Sequence, residues 1–135
     1  MSLVQRDFIR RLIEQLSQFV ARITGLVGER RFDDALELVR ETEQELVGPL
    51  GKTLEAVDAP TVALLLGNTD KLRMLAFLMA KRALLLEMSG QPARREAKRA
   101  LELYAELQRR APLSEFDALA RSEAERALAA PGKSA

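Results

Sequence analysis

The sequence predicts an all-α protein: a compact bundle of about five long helices with one or two short ones. Three observations carry that prediction. Ala, Leu, Glu and Arg are abundant, while Gly and Pro number only seven and five. Apolar residues recur at spacings of three and four, and no stretch alternates with the two-residue period of a strand. Most of the Gly and Pro residues fall between these periodic segments, where they end one helix and open the next. At 135 residues the chain suits one domain with a real core, expected over residues 1–130, with a frayed tail at 131–135.

The first helix is expected over residues 4–30. Ile9, Leu16 and Ile23 recur every seven residues, Leu12, Phe19 and Leu26 fall three later, and Ile13, Val20 and Val27 widen the stripe. Gly28–Arg31 makes a short turn. The second helix opens at Phe32-Asp33-Asp34, whose carboxylates suit the free N–H groups and positive dipole end there. Its buried side is Phe32, Ala35, Leu36, Val39 and Leu46, and Gly48-Pro49 stops it.

The next segment is less regular. Thr53–Val57 reads as a short helix, and Asp58-Ala-Pro-Thr61 opens another that Gly67 ends. Asn68 or Thr69 then caps a long helix to about Ser89, apolar on nearly every side. Only Asp70, Lys71, Arg73, Lys81, Arg82 and Glu87 interrupt it. Such a helix is either the centre of the domain or part of an oligomer interface. Gly90 closes it, and Pro92 suits the first position of a fifth long helix to about 110, with a stripe of Ala93, Ala97, Ala100, Tyr104 and Leu107. Its alanines permit close approach of a neighbour. After Ala111-Pro112, Ser114-Glu-Phe-Asp117 resembles a capping box with Asp in place of Glu or Gln, opening a last helix to about Ala130.

Composition also narrows the chemistry. The chain contains no Cys and no His, which removes disulfides, thiolate and imidazole nucleophile systems and typical zinc sites. A non-catalytic protein without cofactor or metal is therefore expected. The longest apolar run, Met74–Ala80, is far below a membrane span, and the N-terminus scatters Arg6, Asp7, Arg10 and Arg11 among its apolar residues. The expected setting is cytoplasmic, without membrane contact. Gly48-Pro-Leu-Gly51-Lys-Thr53 has only the ending of a phosphate-binding loop: Leu46 stands where its first glycine is required, and no buried strand precedes it.

Two stretches carry a tetratricopeptide-like pattern. Phe32, Ala35 and Val39 match the aromatic, small and apolar positions of such a hairpin, and Ala100, Tyr104 and Pro112 match its small, aromatic and proline positions. One period after Ala35 stands Thr69, which fits no repeat position, so two hairpins are expected rather than an array. Arg6-Asp-Phe-Ile9, Ile13-Glu14 and Phe32-Asp-Asp-Ala-Leu-Glu-Leu38, with the Asp70-Lys-Leu72 helix start and Gly90–Tyr104, resemble an uncharacterised bacterial family of small all-helical tetratricopeptide-like proteins. The resemblance covers roughly residues 4–107; Pro92, Arg94 and Arg95 depart from a more acidic start. It implies the fold and carries no activity.

Charge is unevenly distributed. Residues 29–58 carry four basic and nine acidic side chains, and residues 71–110 carry ten basic and four acidic. Asp34, Glu37, Glu41 and Glu45 form one ridge of the second helix, expected to be a solvated face because a straight ridge does not converge on an ion. Arg94, Arg95, Lys98 and Arg99 form a basic cluster and are the candidate partner-binding residues. No aromatic interleaves with them and the net charge is only +1, so nucleic acid is not the expected partner. The arginines of the first helix stand beside Asp7 and Glu14, and its wide apolar stripe suits a bundle core better than a membrane surface. The function expected is a protein–protein interaction module, meeting its partner through a groove between hairpins or the basic ridge. The alternative is a homodimer closed through the 69–89 helix, and a carboxylate-dependent metal binder or enzyme ranks behind both.

Overall fold

The helix that is apolar on nearly every side is the one the others surround. The computed structural model describes residues 3–130, and in the first helix the side chains of residues 10, 11 and 14 onward. In order, the elements are α1 (Leu3–Gly28), α2 (Phe32–Val47), a 3₁₀ turn (Gly48–Leu50), α3 (Gly51–Ala56), α4 (Ala59–Leu66), α5 (Thr69–Met88), α6 (Arg94–Arg110) and α7 (Glu115–Ala129). Among the described residues no strand occurs. The side chains of the stripe positions Ile9, Leu12 and Ile13, and the tail 131–135, lie outside what is described.

Helix α5 packs against α2, α4, α6 and α7. Leu72, Ala76, Phe77, Leu78, Ala80, Ala83 and Leu85 are consequently buried to 1% exposure or less. Its apolar circumference is used within the chain, the first of the two roles the pattern allows. Phe77 also joins elements distant in sequence. It meets Phe19 of α1 edge-on, with centroids 5.9 Å apart, and stacks on Phe116 of α7 at 4.7 Å. α6 and α7 pack on each other as well as on α5. A satellite cluster of Ala83, Ala93, Ala97 and Ala127 lies where α5, α6 and α7 meet, the close approach the alanine stripe permits.

Helix ends follow local chemistry. Gly48 and Gly67 adopt φ of +55° and +65°, a region closed to most side chains. Asp58 accepts the Thr61 N–H at 2.9 Å, and Asn68 accepts those of Asp70 and Lys71 at 2.8 and 3.0 Å. At α7 the capping box is complete. The Asp117 N–H donates to Ser114 Oγ at 3.1 Å, and the Ser114 N–H donates to Asp117 Oδ2 at 2.9 Å.

Four details differ from the sequence expectation. α3 begins at Gly51, because the chain leaves α2 through a 3₁₀ turn that runs straight into it. α6 begins at Arg94 instead of Pro92. Gly90 closes α5 at φ +80°, the Gln91 N–H donates back to the Leu86 carbonyl, and Ala93 (φ −122°) is the last residue before the helix. At α2 no side chain caps the helix: Asp34 pairs with Arg31 at 2.9 Å instead. The buried side of α2 centres on Ala35, Leu38, Val39 and Val47, while Phe32, Leu36 and Leu46 stay half-buried. Leu36 stays half-buried because it borders a groove.

Candidate functional site

That groove follows the joint between the acidic and basic segments of the chain. One segment of it, about 460 Å³, lies among Val47, Leu54, Leu75, Met79, Leu103 and the α6 charges Arg95, Lys98 and Arg99. A second, about 790 Å³, continues past Gly51, Arg82 and Leu86 to Leu36 and Asp33. Glu43, Val47, Gly51, Glu55 and Arg82 line both, so the two segments form one trough.

Two helices supply its floor. α2 contributes Leu36, Arg40, Glu43 and Val47, and α5 contributes Leu75, Met79, Arg82 and Leu86. Each set has the spacing i, i+4, i+7, i+11, which places it along one side of its helix. The helices run in opposite directions here, because Val47 shares the lining with Leu75 and Leu36 shares it with Leu86. In the middle, Arg82 of α5 and Glu43 of α2 form an ion pair that ties the two ridges together. From Asp33 to Val47 the floor extends about 21 Å at 1.5 Å per residue.

The four candidate residues divide among three roles. Arg95 and Lys98 are exposed on the bank of the trough and have no hydrogen bond or ion pair among the described residues. Arg94 lies against α7, donating to the Leu128 carbonyl at 3.4 Å. Arg99 is half-buried and structural: it donates to the Leu54 and Val57 carbonyls at 2.8 and 2.6 Å and lies 3.7 Å from Glu102. Its guanidinium thus satisfies carbonyls at the end of α3. Sequence spacing groups the four; the fold leaves only two of them free beside the trough.

The acidic ridge is exposed at all four positions. Asp34 pairs with Arg31, and Glu37 pairs with Arg40, which lowers the Glu37 carboxyl below its ordinary range. Glu41 and Glu45 border a different groove of about 450 Å³ between α1 and α2, with Arg22 and Met74 among its lining. Among the described residues no group of three side chains is placed to hold a metal ion. Among the described residues no helix is long and apolar enough to cross a membrane.

Sequence reasoning missed the polar groups between α5 and α7. Asp117 is fully buried, and its Oδ2 accepts Arg73 Nε at 2.9 Å in addition to the Ser114 N–H. Arg73 also donates to the Pro112 carbonyl at 3.1 Å. Lys81 pairs with Glu123 at 2.9 Å. The Tyr104 hydroxyl and Asp117 Oδ1 are buried with no hydrogen-bond partner among the described residues. Burial, then the Asp117 charge, pushes the Tyr104 hydroxyl pKa up. A signal for these pairs was present: Arg73, Lys81 and Arg82 interrupt an otherwise apolar helix, and cations buried with it require partners. All three find a carboxylate on another helix.

Arg95 and Lys98 thus lie exposed beside the trough. Comparison with protein-family models, with curated proteins and with solved structures finds no match to this chain.

Proposed function

We propose that the protein is a helical, non-catalytic protein–protein interaction module and that the trough receives a segment of its partner. The observation that supports this reading is the trough itself: a floor about four turns long on which Leu36, Val47, Leu75, Met79 and Leu86 flank Arg40 and the Arg82–Glu43 pair, with the free cations Arg95 and Lys98 on its bank. Apolar burial along the floor would supply affinity, and the bank charges would fix orientation and speed encounter. A tetratricopeptide-like scaffold suits that role, with hairpins α1–α2 and α5–α6 on either side of the joint and α7 covering the second. A cytoplasmic setting belongs to the same proposal.

The test compares proteins captured from a lysate of the native host by the wild-type chain and by R95E/K98E. Both side chains are exposed, so the variant should keep its circular dichroism spectrum and melting temperature. A partner retained by the wild type and depleted several-fold on the variant supports the reading. Recovery of nothing above background, or of the same proteins on both, counts against it.

Self-association is a second reading, favoured by Leu64 of α4 and Leu119 of α7, which are 71% and 61% exposed. It draws on those side chains and not on the 69–89 helix. Light scattering that returns a monomer of 15.0 kDa at high micromolar concentration removes it.

A further inference from the structure

The trough has walls of opposite sign. On the α2–α3 side the charged lining is Asp33, Glu37, Glu43 and Glu55 against Arg40 and Lys52. On the α5–α6 side it is Arg82, Arg95, Lys98 and Arg99 against Glu96 and Glu102. Internal pairs cancel much of this: Glu37 with Arg40, Glu43 with Arg82, and Arg99 with Glu102. The charges without an internal partner are Asp33, Lys52 and Glu55 on one wall, and Arg95, Glu96 and Lys98 on the other. By one charge each, the first wall remains negative and the second positive; Arg95, Glu96 and Lys98 line the 460 Å³ segment, where Glu55 shares the lining with them, and Asp33 and Lys52 line the 790 Å³ segment. Between them lie two antiparallel helical ridges with matching i, i+4, i+7, i+11 spacing. A furrow between two such ridges accepts the ridge of a third helix.

Resting on the interaction reading above, we propose that the occupant of the trough is an amphipathic helix of about four turns, carrying carboxylates along one flank and cations along the other. Its apolar stripe lies over Leu36, Val47, Leu75, Met79 and Leu86. Its acidic flank faces Arg95 and Lys98, and its basic flank faces Asp33 and Glu55. Exchanging the two flanks on the peptide does not abolish this match, because turning the helix end for end exchanges them back. Opposite flanks therefore fix the direction of the bound helix, and like flanks forfeit one wall.

Fluorescence anisotropy with four labelled 16-residue peptides tests the assignment on the whole chain. All have Leu at i, i+4, i+7 and i+11. One has a Glu flank and a Lys flank, one has two Glu flanks, one has two Lys flanks, and the last is the mixed peptide with a central Pro. Exposed charge pairs contribute at most about 1 kcal/mol each, so the mixed peptide is expected to bind about three- to tenfold more tightly than either like-flanked peptide. The Pro peptide should lose at least about tenfold, because it cannot hold the helix. With R95E/K98E both walls are acidic, and the two-Lys peptide should become the tightest.

Equal binding by all four peptides, including the Pro version, overturns the helical assignment while leaving a peptide-binding trough. Failure of every peptide overturns this inference alone, because the lysate comparison tests the broader reading separately. A concentration-dependent dimer that R95E/K98E dissociates assigns the trough to a second copy and also overturns the proposal.

Discussion

The α1–α2 hairpin and the α5–α7 unit use the same residue types to different ends. In α5–α7, Tyr104, Phe77, Leu72, Leu78, Leu85, Leu103 and Leu107 are fully buried, and charged groups such as Asp117 are buried beside them. In α1, among the described side chains, only Phe19 and Ile23 are buried, and α2 contributes Ala35, Leu38, Val39 and Val47. Ion pairs differ in the same way. Arg31–Asp34 and Arg40–Glu37 bridge neighbours on or beside one exposed helix, whereas Arg73–Asp117 and Lys81–Glu123 cross between helices with little exposure. A carboxylate near a helix start therefore has two different values in one molecule, set by what surrounds it. The trough lies where the two regimes meet, with Arg82–Glu43 as the tie across it.

The sharpest way to break this contrast is to remove the two carboxylates in parallel. Asp117→Ala deletes half of a capping box and leaves the Arg73 guanidinium, only 26% exposed, without its buried partner. A loss of about 3 kcal/mol is expected in urea unfolding. Asp117→Asn keeps an acceptor oxygen and should lose less. Asp34→Ala removes an exposed pair and should change stability by under about 0.5 kcal/mol. Similar losses at the two positions would refute the contrast.

A second, smaller effect belongs to α5–α7 alone. Burial raises the Tyr104 hydroxyl above its ordinary pKa of 10.0. Below pH 10 both folded and unfolded chains keep the proton, and the stabilisation is fully present. Above pH 10 the unfolded chain releases it first, so stability falls as pH rises through the folded value, by about 1.4 kcal/mol per pH unit from this group. Denaturant titrations from pH 9 to 11 should show a steeper loss for wild type than for Tyr104→Phe. Parallel curves would mean that the hydroxyl is not held in its neutral form.

Much of the fold was legible because helix boundaries are local chemistry. Gly67, Asn68, Gly90 and Ser114 mark their turns wherever the rest of the chain goes, and the lack of a polar face on α5 narrowed its place to the domain centre or an oligomer interface. The trough was legible only as an expectation that a groove lies between hairpins. Its lining comes from residues far apart in sequence, such as Glu43 and Arg82, whose meeting depends on how α2 crosses α5. Arg99 shows the same limit: spacing groups it with Arg95 and Lys98, but the end of α3 provides carbonyls that the spacing cannot reveal. Asp117 was readable as a cap and unreadable as a partner of Arg73. Local patterns identified which side chains need partners, and only the packing identified the partners.

The smallest predicted effect lies in the α1–α2 turn. The Arg31 N–H closes the turn on the Leu26 carbonyl at 2.8 Å, and the Arg30 N–H closes it on that of Val27 at 2.9 Å. This geometry places Arg30 at φ +58°, the only non-glycine residue with positive φ among those described. A side chain there costs about 1 kcal/mol relative to glycine, because its Cβ crowds the backbone. Two effects oppose the gain from glycine: the greater freedom of the unfolded chain, and loss of the Arg30 guanidinium over the Phe32 ring at 5.5 Å. Arg30→Gly is accordingly expected to stabilise the protein by only about 0.5 kcal/mol in urea unfolding. A loss of stability would show that the cation–ring contact and the greater freedom of the unfolded chain together outweigh the backbone strain.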